Sequence, residues 1–266
     1  PFPAMNFEFV SLTDPGKVRD NNEDSVACDP AQGIAVLADG MGGYNAGEIA
    51  SAMAVTLIRA ELAEWIKSSG GRVSTGNVQR ALELCVLHAN QAIYNAAIAN
   101  VQFAGMGTTL VSGVFAPNRV VLAHVGDSRC YLWRGGRLKQ LTRDHSLLQE
   151  QLDAGLITPQ QAKGAANKNL VTRALGVDAV VEVDVMQHTP QVEDVYMMCS
   201  DGLSDMLDDD KIAAIMAENL DLNAKAARFI QQANASGGRD NISVILVLVK
   251  PQSGSSSFFS RILRSS

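Results

Sequence analysis

The chain reads as an α+β domain, antiparallel sheets with helices packed outside them. Strand-like apolar runs follow one another too closely between residues 108 and 141 for helical crossovers. Two long helical patterns stand together between Ile49 and Ala96. The order strands, helix pair, strands, polar insert, strands, helices, strand also lacks the regular alternation of a βαβ protein.

Phe7–Leu12 alternates as a strand and ends at the turn residues Asp14-Pro15-Gly16. Gly33–Ala38 is a short apolar run that stops at Asp39-Gly40, the pattern of a buried strand delivering an acid at its end. Ile49, Met53, Leu57 and Ala60 fall on one helical face. So do Val78, Leu82, Cys85, Ala89, Ile93 and Ala96, with Ser68-Ser69-Gly70-Gly71 breaking the chain between the two helices. Thr108–Phe115, Val120–Val125, Arg129–Arg134 and Leu138–Leu141 are strands separated by Pro117-Asn118, Gly126-Asp127 and Gly135-Gly136. His145–Ala174 is polar and only weakly helical, as a surface flap of about 144–176 would be. Val181–Val185 and Val195–Ser200 are strands, Asp209–Glu218 and Asn223–Ala235 helices, and Ile242–Val249 an apolar last strand. One domain over 6–250 is expected, followed by a Ser-rich flexible tail at 251–266.

The 266 residues are 47% hydrophobic and 19% charged, enough for a packed core and too apolar for disorder. A net charge of −6 argues against a nucleic-acid partner, which would call for a basic track. No run reaches the ~18 apolar residues of a membrane span. Cys28, Cys85, Cys130 and Cys199 sit in apolar stretches without a C-x-x-C pair, as small buried hydrophobes of a reducing compartment do. A soluble, cytoplasmic monomer is the expectation.

The carboxylates carry the chemistry. Glu23-Asp24 opens one strand, Asp39-Gly40 closes another, and Asp127 follows Val120–Val125. Asp201-Gly202 follows Val195–Ser200, with Asp205 close behind, and Asp240 precedes the last strand. Any one of these pairs is commonly a turn and nothing more. Recurring at strand ends, however, they can meet at the rim of a sheet. Acids that converge stay ionised together only beside a cation. Oxygen ligands without a His or Cys cluster select hard Mn²⁺ or Mg²⁺. Two such ions ~3.5–4 Å apart can activate a bridging water for in-line attack on phosphorus.

The ordered motifs Gly16-Lys17-Val18-Arg19 with Asn22-Glu23-Asp24, Ala38-Asp39-Gly40-Met41-Gly42-Gly43, Gly107-Thr108-Thr109, Val125-Gly126-Asp127-Ser128-Arg129, Ser200-Asp201-Gly202-Leu203 with Asp205, and Gly238-Arg239-Asp240-Asn241-Ile242-Ser243 span nearly the whole chain. Through them the chain resembles the metal-dependent type-2C serine/threonine phosphatases in their compact bacterial form. The resemblance implies two packed antiparallel sheets flanked on both sides by helix pairs, a four-layer αββα sandwich with a flap. It implies hydrolysis of phosphoserine and phosphothreonine in proteins, in opposition to a bacterial serine/threonine kinase, with two Mn²⁺ or Mg²⁺ ions per chain. Asp39 would bridge the ions, and Asp201 and Asp240 would complete the first. The Gly40 carbonyl would bind the second, with Glu23 reaching it through water. Asp24 would orient the nucleophilic water. Asp127, Asp201 and Asp205 would form a third, weaker site. Arg19 would grip the substrate phosphate, a role suited to the paired donors and constant charge of a guanidinium.

Many eukaryotic members carry a histidine where this chain has Met41, which cannot protonate a leaving alkoxide. Water is the first candidate donor and His145 the second; for His145, as for His88, His124 and His188, a structural role is the expectation. Lys163, Lys168 and Arg173 in and after the flap read as solvated charge. Two other classes stay open: a binding domain that has kept the fold, against which Asp39, Asp201 and Asp240 all stand, and a two-metal enzyme acting on small phosphate esters.

Overall fold

The computed structural model describes residues 5–43, 46–70, 74–163 and 170–252. Strands β1 (Met5–Asp14), β2 (Asp24–Asp29) and β3 (Ile34–Met41) lead into helices α1 (Ala46–Ser68) and α2 (Thr75–Ala99). Strands β4 (Gly107–Thr108), β5 (Leu110–Ala116), β6 (Arg119–Val125), β7 (Arg129–Arg134) and β8 (Arg137–Gln140) follow. Among its described residues the flap carries α3 (Leu147–Asp153) and α4 (Pro159–Lys163). Then come β9 (Asp184–His188), β10 (Val195–Cys199), α5 (Asp201–Ser204), α6 (Asp209–Ala217), α7 (Leu222–Ala235) and β11 (Ile242–Pro251).

Two antiparallel sheets result, one ordered β1-β11-β10-β7-β8 and the other β2-β3-β5-β6-β9 with β4 beside β3. The alternation of side chains along a strand fills three apolar layers. Ile34, Val36 and Ala38 of β3 pack toward α1 and α2, whereas Ala35 and Leu37 face the opposite sheet, that of β11 and β10. On β11, Ile245, Val247 and Val249 face the sheet of β3, β5 and β6, and Val244 and Leu246 pack against Phe229 and Ile212 of the other helices. The fold is therefore the αββα sandwich expected from the sequence. Among the described residues no helix is long and apolar enough to cross a membrane.

Three details differ from expectation. The inward face of α1 is Ala50, Ala54, Ile58 and Leu62, one residue round from the predicted stripe; Ala60 is exposed, and Ile49, Met53 and Leu57 only flank the core. Small alanines let the helix approach β3 closely, and the larger side chains straddle the contact. Strand β9 begins at Asp184, not Val181. The buried Asn90 amide donates to the carbonyls of Asp178 and Ala179 at 3.1 and 3.3 Å, holding the preceding segment against α2 instead of in the sheet. Finally, β6 and β7 do not pair: the chain crosses between sheets at Gly126-Asp127-Ser128. Of the tail expected at 251–266, residues 253–266 lie outside the described residues, as do Lys168 and the side chain of Lys163.

A buried lysine closes the second helix layer. Lys225 on α7 is 6% exposed, and its ammonium donates to the carbonyls of Ile215, Met216 and Glu218 at 3.0, 2.7 and 2.7 Å. It thus adds a charged donor to the carbonyls that end α6, two of which also accept from the backbone N–H groups of Glu218 and Leu220. Replacement by Met should lower stability by about 1–3 kcal/mol, because each of the three carbonyls loses the ammonium that donates to it and Ile215 and Glu218 keep only a backbone donor; thermal or urea denaturation would measure it.

Candidate active site

The acids meet at one end of the sandwich, where strands of both sheets finish. Asp24 and Asp39 lie opposite each other in the β2–β3 pairing. Asp201 begins α5 with one residue between it and the end of β10, and Asp240 stands two residues before the start of β11 at Ile242. Two glycines make these approaches possible. A Cβ on Gly202 would stand 2.0 Å from the Asn241 carbonyl oxygen, so only glycine lets the start of α5 rest on the start of β11. A Cβ on Gly40 would lie 2.1 Å from the Gly47 oxygen and 2.6 Å from that of Glu23, at the contact where α1 begins against the end of β3.

Hydroxyls and amides fix the surroundings. Ser200, the residue after β10, and Ser243 of β11 both donate to Asp24 Oδ2, at 2.8 and 2.6 Å, and so tie β2 to the other sheet. Asn241 Oδ1 accepts from the Glu23 amide at 2.8 Å, while its Nδ2 donates to the Pro15 and Asn21 carbonyls at 3.0 and 2.8 Å. The whole loop bearing Arg19 is thereby strapped to β11. Thr108 Oγ1 donates to the Asp39 carbonyl at 2.9 Å, and the Asp39 amide donates to Thr109 Oγ1 at 3.2 Å. Ser200, Ser243, Asn241 and the two threonines had no role assigned from the sequence. Their only signal was their place beside acids in the ordered motifs, since what they hold is distant in the chain.

All nine residues singled out from the sequence come together. Arg19, Glu23, Asp24, Asp39, Gly40, Asp201 and Asp240 form one group, and Asp127 and Asp205 join it through Asp201. Arg19 Nη2 donates to Asp240 Oδ2 at 2.7 Å, which raises the guanidinium pKa further. Asp127, Asp201 and Asp205 line a cleft of about 610 Å³ that runs beside the flap past Leu148 and Leu152.

The electrostatics are those of a cation site. Burial, then the charges of Asp24, Asp201, Asp127 and Asp240, push the Asp39 carboxyl well above the usual range. Burial and Asp127, Asp205, Asp240 and Asp24 do the same to Asp201. Burial lifts Asp24 to about 6 against the pull of its two serines, and burial with Asp144 lifts Asp127 to about 6. Burial also raises Glu23. Buried Asp24 Oδ1 has no hydrogen-bond donor. An all-oxygen set of acids that disfavour one another's charge, with an orphaned acceptor among them, fits hard dications.

A family model described as protein phosphatase 2C matches residues 17–233. The chain belongs to the protein phosphatase 2C family. It is 40% identical over 246 residues to the serine/threonine phosphatase stp of Listeria innocua, covering 91% of this chain and 95% of that one. The crystal structure of the Mycobacterium tuberculosis serine/threonine phosphatase PstP/Ppp superposes with a TM-score of 0.84 at 35% identity, covering 92% of this chain and 99% of that one. A PstP catalytic domain in complex with two manganese ions superposes at 0.82, with 35% identity over 93% of this chain and 100% of that one. This member of the family keeps every acid of the motifs and has Met41 after Asp39-Gly40.

Raised carboxyl pKa values stabilise the cation-free fold only while the acids hold their protons. That stability is complete below the unfolded value of 3.8 and is lost as pH climbs through about 6 for Asp24 and Asp127, and through the likewise raised values of Asp39 and Asp201. In chelator, Asp39→Asn should therefore melt several degrees above the natural protein at neutral pH, with the gap closing as pH falls toward 3.8. Calorimetry across pH would check this.

Proposed function

We propose that this site hydrolyses phosphoserine and phosphothreonine esters of proteins, with Asp39, Asp201, Asp240, the Gly40 carbonyl and Glu23 holding two Mn²⁺ or Mg²⁺ ions. The observation that carries the reading is the convergence of acids from both sheets around Asp39, mutually disfavoured without a cation. The relatives named serine/threonine phosphatases, and the two manganese ions of PstP, support it. Asp127, Asp201 and Asp205 serve a third, weaker cation.

The bound ions supply charge neutralisation and an activated water for in-line displacement at phosphorus. The chain supplies binding and proton handling. Arg19, 52% exposed in its side chain and reaching across to Asp240, presents its remaining donors to the phosphate oxygens. Asp24 spends Oδ2 on Ser200 and Ser243 and keeps Oδ1 free to accept from the attacking water and orient it. Met41 offers no proton. His145 is turned away from this work, because its Nδ1 accepts from the Gly126 amide and its Nε2 faces Asp184. The leaving alkoxide takes its proton from water.

Residues 6–250 form the catalytic domain, acting as a monomer in the cytoplasm against the products of a serine/threonine kinase, with no nucleic-acid partner.

Hydrolysis of a phosphothreonine peptide should require Mn²⁺ or Mg²⁺, stop in chelator, and drop by roughly two or more orders of magnitude in Asp39→Asn and Asp201→Asn. Robust turnover without divalent ions would sink the reading. Arg19→Ala should lower kcat/KM for the peptide by roughly 10–100-fold, the loss of a charged hydrogen-bond pair, with Mn²⁺ binding retained in a direct titration.

A further inference from the structure

We propose that His145 is a positioning residue: it clamps the Gly126–Asp127 turn to the flap and so sets the affinity of the cation site that Asp127 serves. This rests on the reading of Asp127 as a cation ligand given above.

His145, 4% exposed, holds Gly126 at two points. Its backbone N–H donates to the Gly126 carbonyl at 2.9 Å, and its Nδ1 accepts from the Gly126 N–H at 3.1 Å. The turn itself has no slack. Gly126 sits at φ +105°, and the place of a Cβ is taken by the Thr109 side chain, 2.7 Å away. Thr109 in turn shares a 2.7 Å hydrogen bond with Ser128. Asp127 is thus pinned between Thr109 on one side and His145 on the other.

The opposite edge of the imidazole reaches the segment that returns from the flap. An Nδ1 that accepts leaves the ring proton on Nε2, which faces Asp184 Oδ2 at 3.4 Å. Arg173 takes the other oxygen, Nη1 to Asp184 Oδ1, at 3.2 Å. The two ends of the flap are joined here as well: Thr172 N donates to the His145 carbonyl at 2.8 Å and Leu147 N to that of Leu170 at 2.9 Å. One side chain therefore connects the docking of the flap to the position of a carboxylate in the cleft.

His124, His145 and Asp184 also lie close enough together to invite a metal. The geometry rejects that use. The two imidazoles stack at 4.5 Å with 24° between their planes, so their lone pairs run side by side and do not converge on an ion. His145 Nδ1 is already engaged, His124 Nε2 donates to the Arg143 carbonyl at 2.8 Å, and the Arg173 cation adjoins. Burial lowers both histidine pKa values, which keeps the stacked rings neutral at neutral pH.

The test is a Mn²⁺ titration of the full chain, read as free Mn²⁺ by electron paramagnetic resonance, on the natural protein and on Asp127→Asn, His145→Ala, His145→Asn and His145→Gln. Asparagine places an acceptor where Nδ1 stood; glutamine reaches the Nε2 position and leaves Gly126 unpaired. Expected is a weak class of sites abolished by Asp127→Asn and weakened roughly 10–100-fold by His145→Ala, the usual effect of losing an outer support. Expected too is recovery in His145→Asn but not in His145→Gln, with the tight sites unchanged throughout. If Asp127→Asn abolishes the weak class while His145→Ala leaves it at natural affinity, the clamp is wrong and the cation reading stands. If Asp127→Asn binds as the natural protein does, the cation reading falls and the clamp with it. Should His145→Ala fail to fold, equal affinity of the Asn and Gln variants overturns the proposal by itself.

Discussion

Like charges gathered in a shielded place govern this molecule. Asp24, Asp39, Asp127, Asp201 and Asp240 come from five separate stretches of chain, and each makes ionisation of its neighbours harder. Nothing in the local preference of any strand asks for that arrangement. It is imposed by the rest of the fold, through three apolar layers that align the strand ends and through glycines that allow the final approach. The fold stores an unfavourable interaction that a pair of dications relieves, and that relief couples binding to stability.

The supports around the acids share one logic. Ser200 and Ser243 clasp one oxygen of Asp24, Asn241 straps the Arg19 loop, and Thr108 and Thr109 hold the backbone of Asp39. Each joins an acid-bearing segment to an element remote in sequence. Asp39 is held by its backbone and Asp24 by a single oxygen, which leaves Asp24 Oδ1 for a ligand. Rigid support with unspent acceptors is what an oxygen-donor site needs.

Much of this was legible in the sequence. Element types and order follow from hydrophobic period and turn residues, and the ordered motifs place every acid. What escaped was set by distant partners. The inward face of α1 is chosen by alanines that fit against β3, where a count of large side chains points one residue away. The late start of β9 reflects the grip of Asn90 across the helix layer. Lys225 drew no reading from the sequence, because its role is set by the carbonyls of Ile215, Met216 and Glu218 across the turn from α6. The parting of β6 and β7 was hidden because a Gly-Asp turn looks the same whether the next strand pairs back or leaves for another sheet.

That parting has a consequence for how the molecule comes into being. Asp24 and Asp39 meet through a short hairpin, but Asp201 and Asp240 reach them only after the second sheet has been laid down and the chain has crossed over at Asp127. Such long-range closures are slow to form. A nascent or partly folded chain therefore owns fragments of this acid group and never the whole. On the proposed assignment of ligands, the full set of oxygen donors exists only in the completed sandwich.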